Sequence, residues 1–133
     1  MKGIKQAKET KQVTPTTSVA KKATGYKKAP VRLWVKAKFT NFRRSRELQK
    51  PNQALLKLEG VNDAKSAQYY FGKRCVYIFK APSTKQGTKF RTIWGRISRA
   101  HGQKGVVIAR FSPNLPARAM GSTIRVMLYP QTA

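Results

Sequence analysis

Hydrophobic and polar positions alternate with a period of two over much of this chain, a pattern that is typical of β-strands. In the stretch from residue 31 to 39, one face carries Val31, Leu33, Val35, Ala37 and Phe39. The opposite face carries cations and Trp34. We therefore predict a half-buried strand here, with cations around an aromatic ring on its outer face.

Five further strands are predicted over residues 54–59, 75–79, 88–99, 106–111 and 123–129, of which the last alternates in the same way. The run Cys-Val-Tyr-Ile-Phe at 75–79 is apolar on both faces, which places it at the centre of the predicted core. We predict a basic loop over residues 41–52, closed by Pro51 and Asn52. The polar, glycine-containing residues 100–105 are predicted to form a hairpin loop.

One helix is predicted over residues 63–71, because apolar side chains recur there at steps of three and four. Asn62 or Asp63 offers a side-chain cap at its start, and Gly72 is a suitable stop. Six strands and one helix without βαβ alternation favour a mostly β protein, a small and largely antiparallel barrel.

The composition changes near Pro30. Residues 1–30 are rich in lysine and poor in large apolar side chains, so we predict a flexible extension there and one folded domain over residues 31–133. A mitochondrial transit peptide is the less favoured alternative, since every cation of the extension is a lysine and no amphipathic stripe appears.

Charge narrows the choice of partner. Lysine and arginine number 29 against four acidic residues, which gives a net charge of +25 at pH 7. A nucleic acid, an anionic membrane or an acidic protein would each supply the missing anion. A membrane is disfavoured, because the predicted helix contains Lys65 as its one cation and no apolar run is long enough to span a bilayer. We expect a soluble, intracellular protein.

Candidate catalytic groups are sparse. Glu59 and Asp63 are close in sequence, but a helix cap explains Asp63 more simply than acid–base chemistry. Cys75 belongs to an apolar run, whereas His101 belongs to a polar loop, and the two residues alone cannot form a zinc site. No phosphate-binding glycine loop is present. We predict no enzyme, metal, cofactor or small-molecule substrate.

The arginines all follow residue 31, which suggests that phosphates dock on the folded domain while the lysines of the extension attract them diffusely. We predict phosphate contacts from the basic side chains of the domain, namely Lys36, Lys38, Arg43, Arg44, Arg46, Lys73, Arg74, Arg96, Arg99, His101, Lys104, Arg118 and Arg125. Most aromatic side chains are expected to pack in the core, namely Phe39, Tyr69, Tyr70, Phe71, Tyr77, Phe79 and Phe90.

A more specific signal runs from Gly95 to Pro116. It reads Gly-Arg-Ile-Ser-Arg-Ala-His-Gly-Gln-Lys-Gly-Val-Val-Ile-Ala-Arg-Phe, followed after three residues by Leu-Pro. This segment resembles the signature of the thirty-five-Ae family of ribosomal proteins from the eukaryotic and archaeal large subunit, with Arg96 where lysine is usual. Tyr70-Phe71-Gly72-Lys73-Arg74, Trp94 and the segment from Asn114 to Pro130 also fit, so the resemblance covers about residues 31–131.

The resemblance implies a closed six-stranded barrel like the translation-protein β-barrels, bound to large-subunit ribosomal RNA beside neighbouring ribosomal proteins and without catalytic activity. It also implies weak transfer-RNA binding and a cytoplasmic location in ribosomes, with assembly through the nucleus and nucleolus in a eukaryote. A free regulatory or chromatin-binding module is the alternative. Gly102 and Gly105 fit either close approach of RNA backbone or a simple hairpin turn. His101 fits either RNA contact or bracing of its loop.

Overall fold

The computed structural model describes residues 32–131 and confirms the closed, six-stranded antiparallel barrel. The strands are β1 (Trp34–Arg44), β2 (Gln49–Leu58), β3 (Arg74–Lys85), β4 (Thr88–His101), β5 (Val106–Ser112) and β6 (Thr123–Met127). Between β2 and β3 lie a short helix, α1 (Ala64–Ala67), and a 3₁₀ turn, Gln68–Tyr70; a second 3₁₀ turn, Ala117–Ala119, precedes β6. The predicted flexible extension, residues 1–30, and Val31 lie outside the described residues.

The barrel closes because β6 pairs with both β3 and β1, in the order β1–β2–β5–β4–β3–β6. Side chains alternate between the interior and the outer surface along each strand. The core is formed by the inward set, which includes the buried side chains of Phe39, Leu56, Ile97, Val107 and Ile124. Along residues 32–131, no helix is long and apolar enough to cross a membrane.

Gly95 on β4 has no room for a side chain next to β5. A Cβ atom at this position would overlap the carbonyl oxygen of Arg110 and lie 2.7 Å from the ring of Phe111. Only glycine leaves room for the Phe111 ring against this part of β4.

The predicted loop over residues 41–52 is wrong, because most of it is strand. A tight turn at Ser45–Leu48 joins β1 to β2, closed by a bond of 2.8 Å from the Ser45 N–H to the Leu48 carbonyl. In the pairing of β1 with β2, Phe42 lies opposite Ala54, but Arg43, the next residue of β1, lies opposite Lys50. Strand β2 therefore has three extra residues, 51–53, between these two pairs, and Pro51 lies in the resulting bulge. There its missing N–H group breaks no ladder hydrogen bond.

The predicted helix over residues 63–71 is shorter in the structure, where α1 is followed directly by a 3₁₀ turn. Asp63 is the N-cap residue, but its side chain makes no capping hydrogen bond. The glycine stop is confirmed in position, since Gly72 has a φ of 77° and donates its N–H to the Ile97 carbonyl.

The run 75–79 is not the centre of the core. Cys75 and Val76 are buried and pair with β6, but beyond them β3 leaves the barrel with β4 as its paired neighbour. Residues 77–79 are consequently half-buried. Two aromatic side chains expected in the core are exposed, Tyr69 at 56% and Phe90 at 61%.

The first strand also begins later than predicted. Leu33 precedes β1 and is 60% exposed, because the pairing with β6 ends where Trp34 faces Met127. The inward positions that follow, Ala37 and Phe39, are buried as the alternation predicted.

Candidate nucleic-acid interface

Three arginines face outward side by side on β3, β4 and β5. Arg74 lies opposite Arg96, and Arg96 lies opposite Arg110 on the next strand. All three residues are exposed, and we call them the arginine row. Like charges directly opposite each other on neighbouring strands are destabilising, so this arrangement favours a bound anion.

Trp94 lies on the same outer face of β4, two residues before Arg96. The guanidinium carbon of Arg74 is 4.8 Å from the centre of its indole ring, a cation–π contact. Trp94 and the arginine row line a surface cavity of about 550 Å³ together with Ser98 and Ser112. Of the described residues, none that lines this cavity is acidic.

The second tryptophan lies among cations at the seam between β1 and β6, as the alternation predicted. The guanidinium carbons of Arg32 and Arg125 are 4.7 and 4.6 Å from the centre of the Trp34 ring. Lys36 lies opposite Arg125 in the β1–β6 pairing, and Lys38 is the next exposed cation along β1. This seam is a second basic surface.

The tip of the β1–β2 hairpin carries a third group of cations. Arg43 donates a hydrogen bond of 3.0 Å to the side-chain oxygen of Gln53. Arg44 donates to the backbone carbonyls of Ser45 and Arg46, each at 3.1 Å, so its own turn orients its guanidinium group. The side chain of Arg46 is exposed.

A fourth group lies at the β4–β5 hairpin, which a lysine from β2 braces. The Lys57 ammonium group donates to the carbonyl oxygens of Val61 at 2.8 Å and Lys104 at 2.7 Å. These bonds tie the hairpin to the segment before α1. The side chains of Arg99, His101 and Lys104 remain exposed around it.

Gly102 and Gly105 both have positive φ angles, of 70° and 68°. Gly105 is buried, and a Cβ atom there would overlap the carbonyl of Val61, whereas no atom lies within 4 Å of a Cβ built at Gly102. The close approach at Gly105 is therefore made by the protein's own backbone. The sequence left two interpretations of Gly105, close approach of RNA backbone or a simple hairpin turn, and the structure agrees with the hairpin turn.

Lys73 is one of the predicted phosphate contacts, but the structure places its side chain inside the fold. Its side chain is 1% exposed, and its ammonium group donates a hydrogen bond of 3.1 Å to the Pro130 carbonyl. The same group lies 4.3 Å from the centre of the Tyr69 ring. A buried cation with partners inside the fold is not available to an external phosphate.

Comparison with known proteins identifies the family of this chain. The family model for ribosomal protein L35Ae matches residues 33–127. The chain belongs to this family. Three proteins named as large ribosomal subunit proteins are similar to it: eL33 of Tetrahymena thermophila at 59% identity, eL33A of Schizosaccharomyces pombe at 48%, and eL33 of Candida albicans at 44%. The alignments cover 79%, 74% and 74% of this chain, respectively, and 92% of each relative.

The L35Ae match begins just before β1 and ends with the last residue of β6, so it spans the whole barrel. The segment that resembles the family signature, residues 95–116, runs from the second half of β4 through the hairpin and β5 to Pro116. Two of its glycines are required by close packing, since Gly95 adjoins Phe111 and Gly105 adjoins Val61.

The remaining candidate, Arg118, is exposed in the second 3₁₀ turn. The retained candidates of this L35Ae protein thus occur at several places on the barrel. Sequence reasoning missed Arg110, although it lies between inward-facing Ala109 and Phe111 and is therefore outward by alternation. It also missed Arg32 and Lys57, whose contacts depend on tertiary structure.

The two candidates for nucleophilic chemistry do not share a surface in this L35Ae protein. Cys75 is fully buried, and burial raises the pKa of its thiol to about 12, whereas His101 is exposed at the hairpin. Within residues 32–131, no group of three or more potential metal-ligating side chains is close enough to hold an ion.

Proposed function

We propose that this protein is a structural constituent of the large ribosomal subunit, where it binds and stabilises folded ribosomal RNA. The observation that carries the proposal is its membership of the L35Ae family, whose relatives in a ciliate and two yeasts are named as large-subunit proteins. The protein acts by binding and takes part in no reaction of its own. Neighbouring ribosomal proteins are its other partners, and cytoplasmic ribosomes are its location.

The basic outer surface of the barrel supports the choice of RNA as partner. The arginine row, the Trp34 seam and both hairpins present cations on different sides of one small barrel. A protein embedded in folded RNA meets phosphates from several directions. Cations on several sides of the barrel therefore fit surrounding RNA better than a partner that contacts only one side. Shape and phosphate contacts dominate such binding, because an RNA duplex hides its base edges in a deep groove.

We propose that phosphates are contacted by cations of these groups and by Arg118. All of them are exposed except the half-buried Arg43, and they are Lys36, Lys38, Arg43, Arg44, Arg46, Arg74, Arg96, Arg99, His101, Lys104, Arg110, Arg118 and Arg125. Weak binding of transfer RNA is a secondary proposal that uses the same phosphate chemistry. A eukaryotic source would add assembly in the nucleolus.

Sedimentation of the tagged full-length protein in sucrose gradients tests the proposal. We expect it to remain with the large subunit when the salt concentration is raised high enough to remove loosely bound factors. Charge reversal in the arginine row, Arg96→Glu, should lower its incorporation. Charge reversal of an exposed lysine on α1, Lys65→Glu, is the matched control and should leave incorporation unchanged.

A free RNA- or DNA-binding module is the rival function. It predicts that the protein leaves large subunits readily at high salt and collects in the light fractions of the gradient. That result would refute the ribosomal proposal even if the isolated protein bound RNA tightly.

A further inference from the structure

Beyond general phosphate binding, the outer face of β3, β4 and β5 has the features of a defined ligand site. We propose that its cavity receives one unpaired nucleotide of the bound RNA, with the base stacked on Trp94 and the phosphate on the arginine row. This inference rests on the proposed ribosomal RNA binding and names the RNA element that one site takes.

The arginine row provides the anion site. Its three arginines lie directly opposite one another on adjacent strands, where like charges repel each other. The carboxylates of the described chain are those of Glu47, Glu59 and Asp63, and none of them lines the cavity. The compensating negative charge therefore comes from outside the barrel, and guanidinium groups match phosphate oxygens in a bidentate manner.

Trp94 provides the surface for a base. Its side chain is 37% exposed although it is the largest apolar group on this face. The inward positions beside it on β4 and β5 are taken by Gly95 and Phe111, so the indole ring is not required inside the core. Trp34 differs, because two guanidinium groups lie near its ring and its side chain is half-buried. Trp94, with one such neighbour, retains surface for stacking.

The cavity also has suitable dimensions and polarity. Its volume of about 550 Å³ falls in the range of roughly 300–1,000 Å³ that holds small organic ligands. The hydroxyl groups of Ser98 and Ser112 add hydrogen-bonding capacity along its wall. A paired base in a helix offers no free face to an indole ring, so the occupant must be bulged or looped out.

Three short RNA hairpins test the site with the full-length protein: one with a single bulged adenosine, one with an abasic residue at the bulge, and one fully paired. Trp94→Ala should weaken binding of the bulged hairpin by about 5- to 140-fold, the range of one base–aromatic stack. Its affinity for the other two hairpins should stay within about twofold of the unmodified protein, because their phosphates are unchanged. Trp34→Ala is the matched control and should not discriminate among the three RNAs.

A spectroscopic measurement gives an independent readout that does not depend on affinity. In the Trp34→Phe variant, Trp94 is the sole tryptophan. Its fluorescence should be quenched by the bulged hairpin and not by the abasic or paired hairpin at equal saturation. Thiol protection of buried Cys75 verifies that each variant is folded.

Equal losses of affinity for all three RNAs, or no loss with Trp94→Ala, would overturn the nucleotide site while leaving ribosomal RNA binding intact. Loss of the Trp94→Ala protein from large subunits without any change in RNA affinity would show that the cavity holds a neighbouring protein, and would also overturn it. Failure of the unmodified protein to bind ribosomal RNA at all would refute the proposed function itself.

Discussion

Lys73 replaces the water around its ammonium group with two partners inside the protein, the Pro130 carbonyl oxygen and the Tyr69 ring. Burial of a charge is costly unless such partners compensate for the lost hydration. Here they also connect the segment before β3 to the chain that follows β6. The residue type alone suggested a surface cation, so its structural role depends on tertiary contacts that no local pattern reveals.

We predict that Lys73→Ala lowers the free energy of unfolding by about 2–4 kcal/mol, because it leaves the Pro130 carbonyl without its charged donor and removes the contact with Tyr69. Urea denaturation measures this change. Lys80→Ala, on the exposed part of β3, is the control and should have little effect. An unaltered unfolding midpoint combined with weaker RNA binding would return Lys73 to the phosphate contacts.

The Cys75 thiol is also controlled by its surroundings. Burial raises its pKa from 9.0 to about 12. At pH 8 the thiolate fraction is therefore about a thousandfold lower in the folded protein than in the unfolded chain, and the thiolate is the reactive form. We expect very slow reaction with thiol reagents at this pH and rapid reaction in denaturant. Comparable rates in both states would contradict the buried position.

The raised pKa of Cys75 also makes the stability of the folded protein depend on pH in the alkaline range. Because the pKa is raised on folding, the contribution of this thiol to stability is fully present below about pH 9 and is lost as the pH rises toward 12. In that interval the unfolded chain loses the proton first, which favours unfolding.

At the scale of elements, the β4–β5 hairpin provides a matched pair of glycines. Gly102 and Gly105 have nearly equal φ angles, but the backbone of Val61 adjoins only the position of the second. We predict that Gly105→Ala destabilises the protein by about 1–3 kcal/mol more than Gly102→Ala, because overpacking adds to the shared cost of a left-handed residue. Chemical denaturation of both variants measures the difference. Equal losses would mean that the contact with Val61 exerts no constraint.

The pattern of apolar residues, alternating in the first and last strands and continuous in residues 75–79, predicted all six strands, because each has one face inside the barrel. It could not place Pro51 in β2, since the bulge that accommodates this proline is a property of the pairing with β1. Nor could it reveal where β3 leaves the barrel, since apolar residues continue through Phe79. Arg74 and Arg96 were chosen by residue type, but their alignment with Arg110 required the register of three strands.

At the scale of the whole molecule, the net charge of +25 determines how binding responds to salt. If the protein neutralises about six to eight phosphates, a plot of log affinity against log salt should have a slope of about −4 to −7. Filter binding of the full-length protein to a ribosomal RNA fragment measures this slope. A value near −1 or −2 would show that most of the exposed cations are not engaged.

Closure of the barrel also has a consequence for the timing of folding. Trp34, at the start of β1, is paired with Met127, at the end of β6. During synthesis, β1 and β3 each lack one of their two neighbouring strands, β6, until residues 123–127 have emerged from the peptide exit tunnel. The closed barrel therefore cannot form before these residues are available. Any factor that shields the cations of the nascent protein must recognise the open chain.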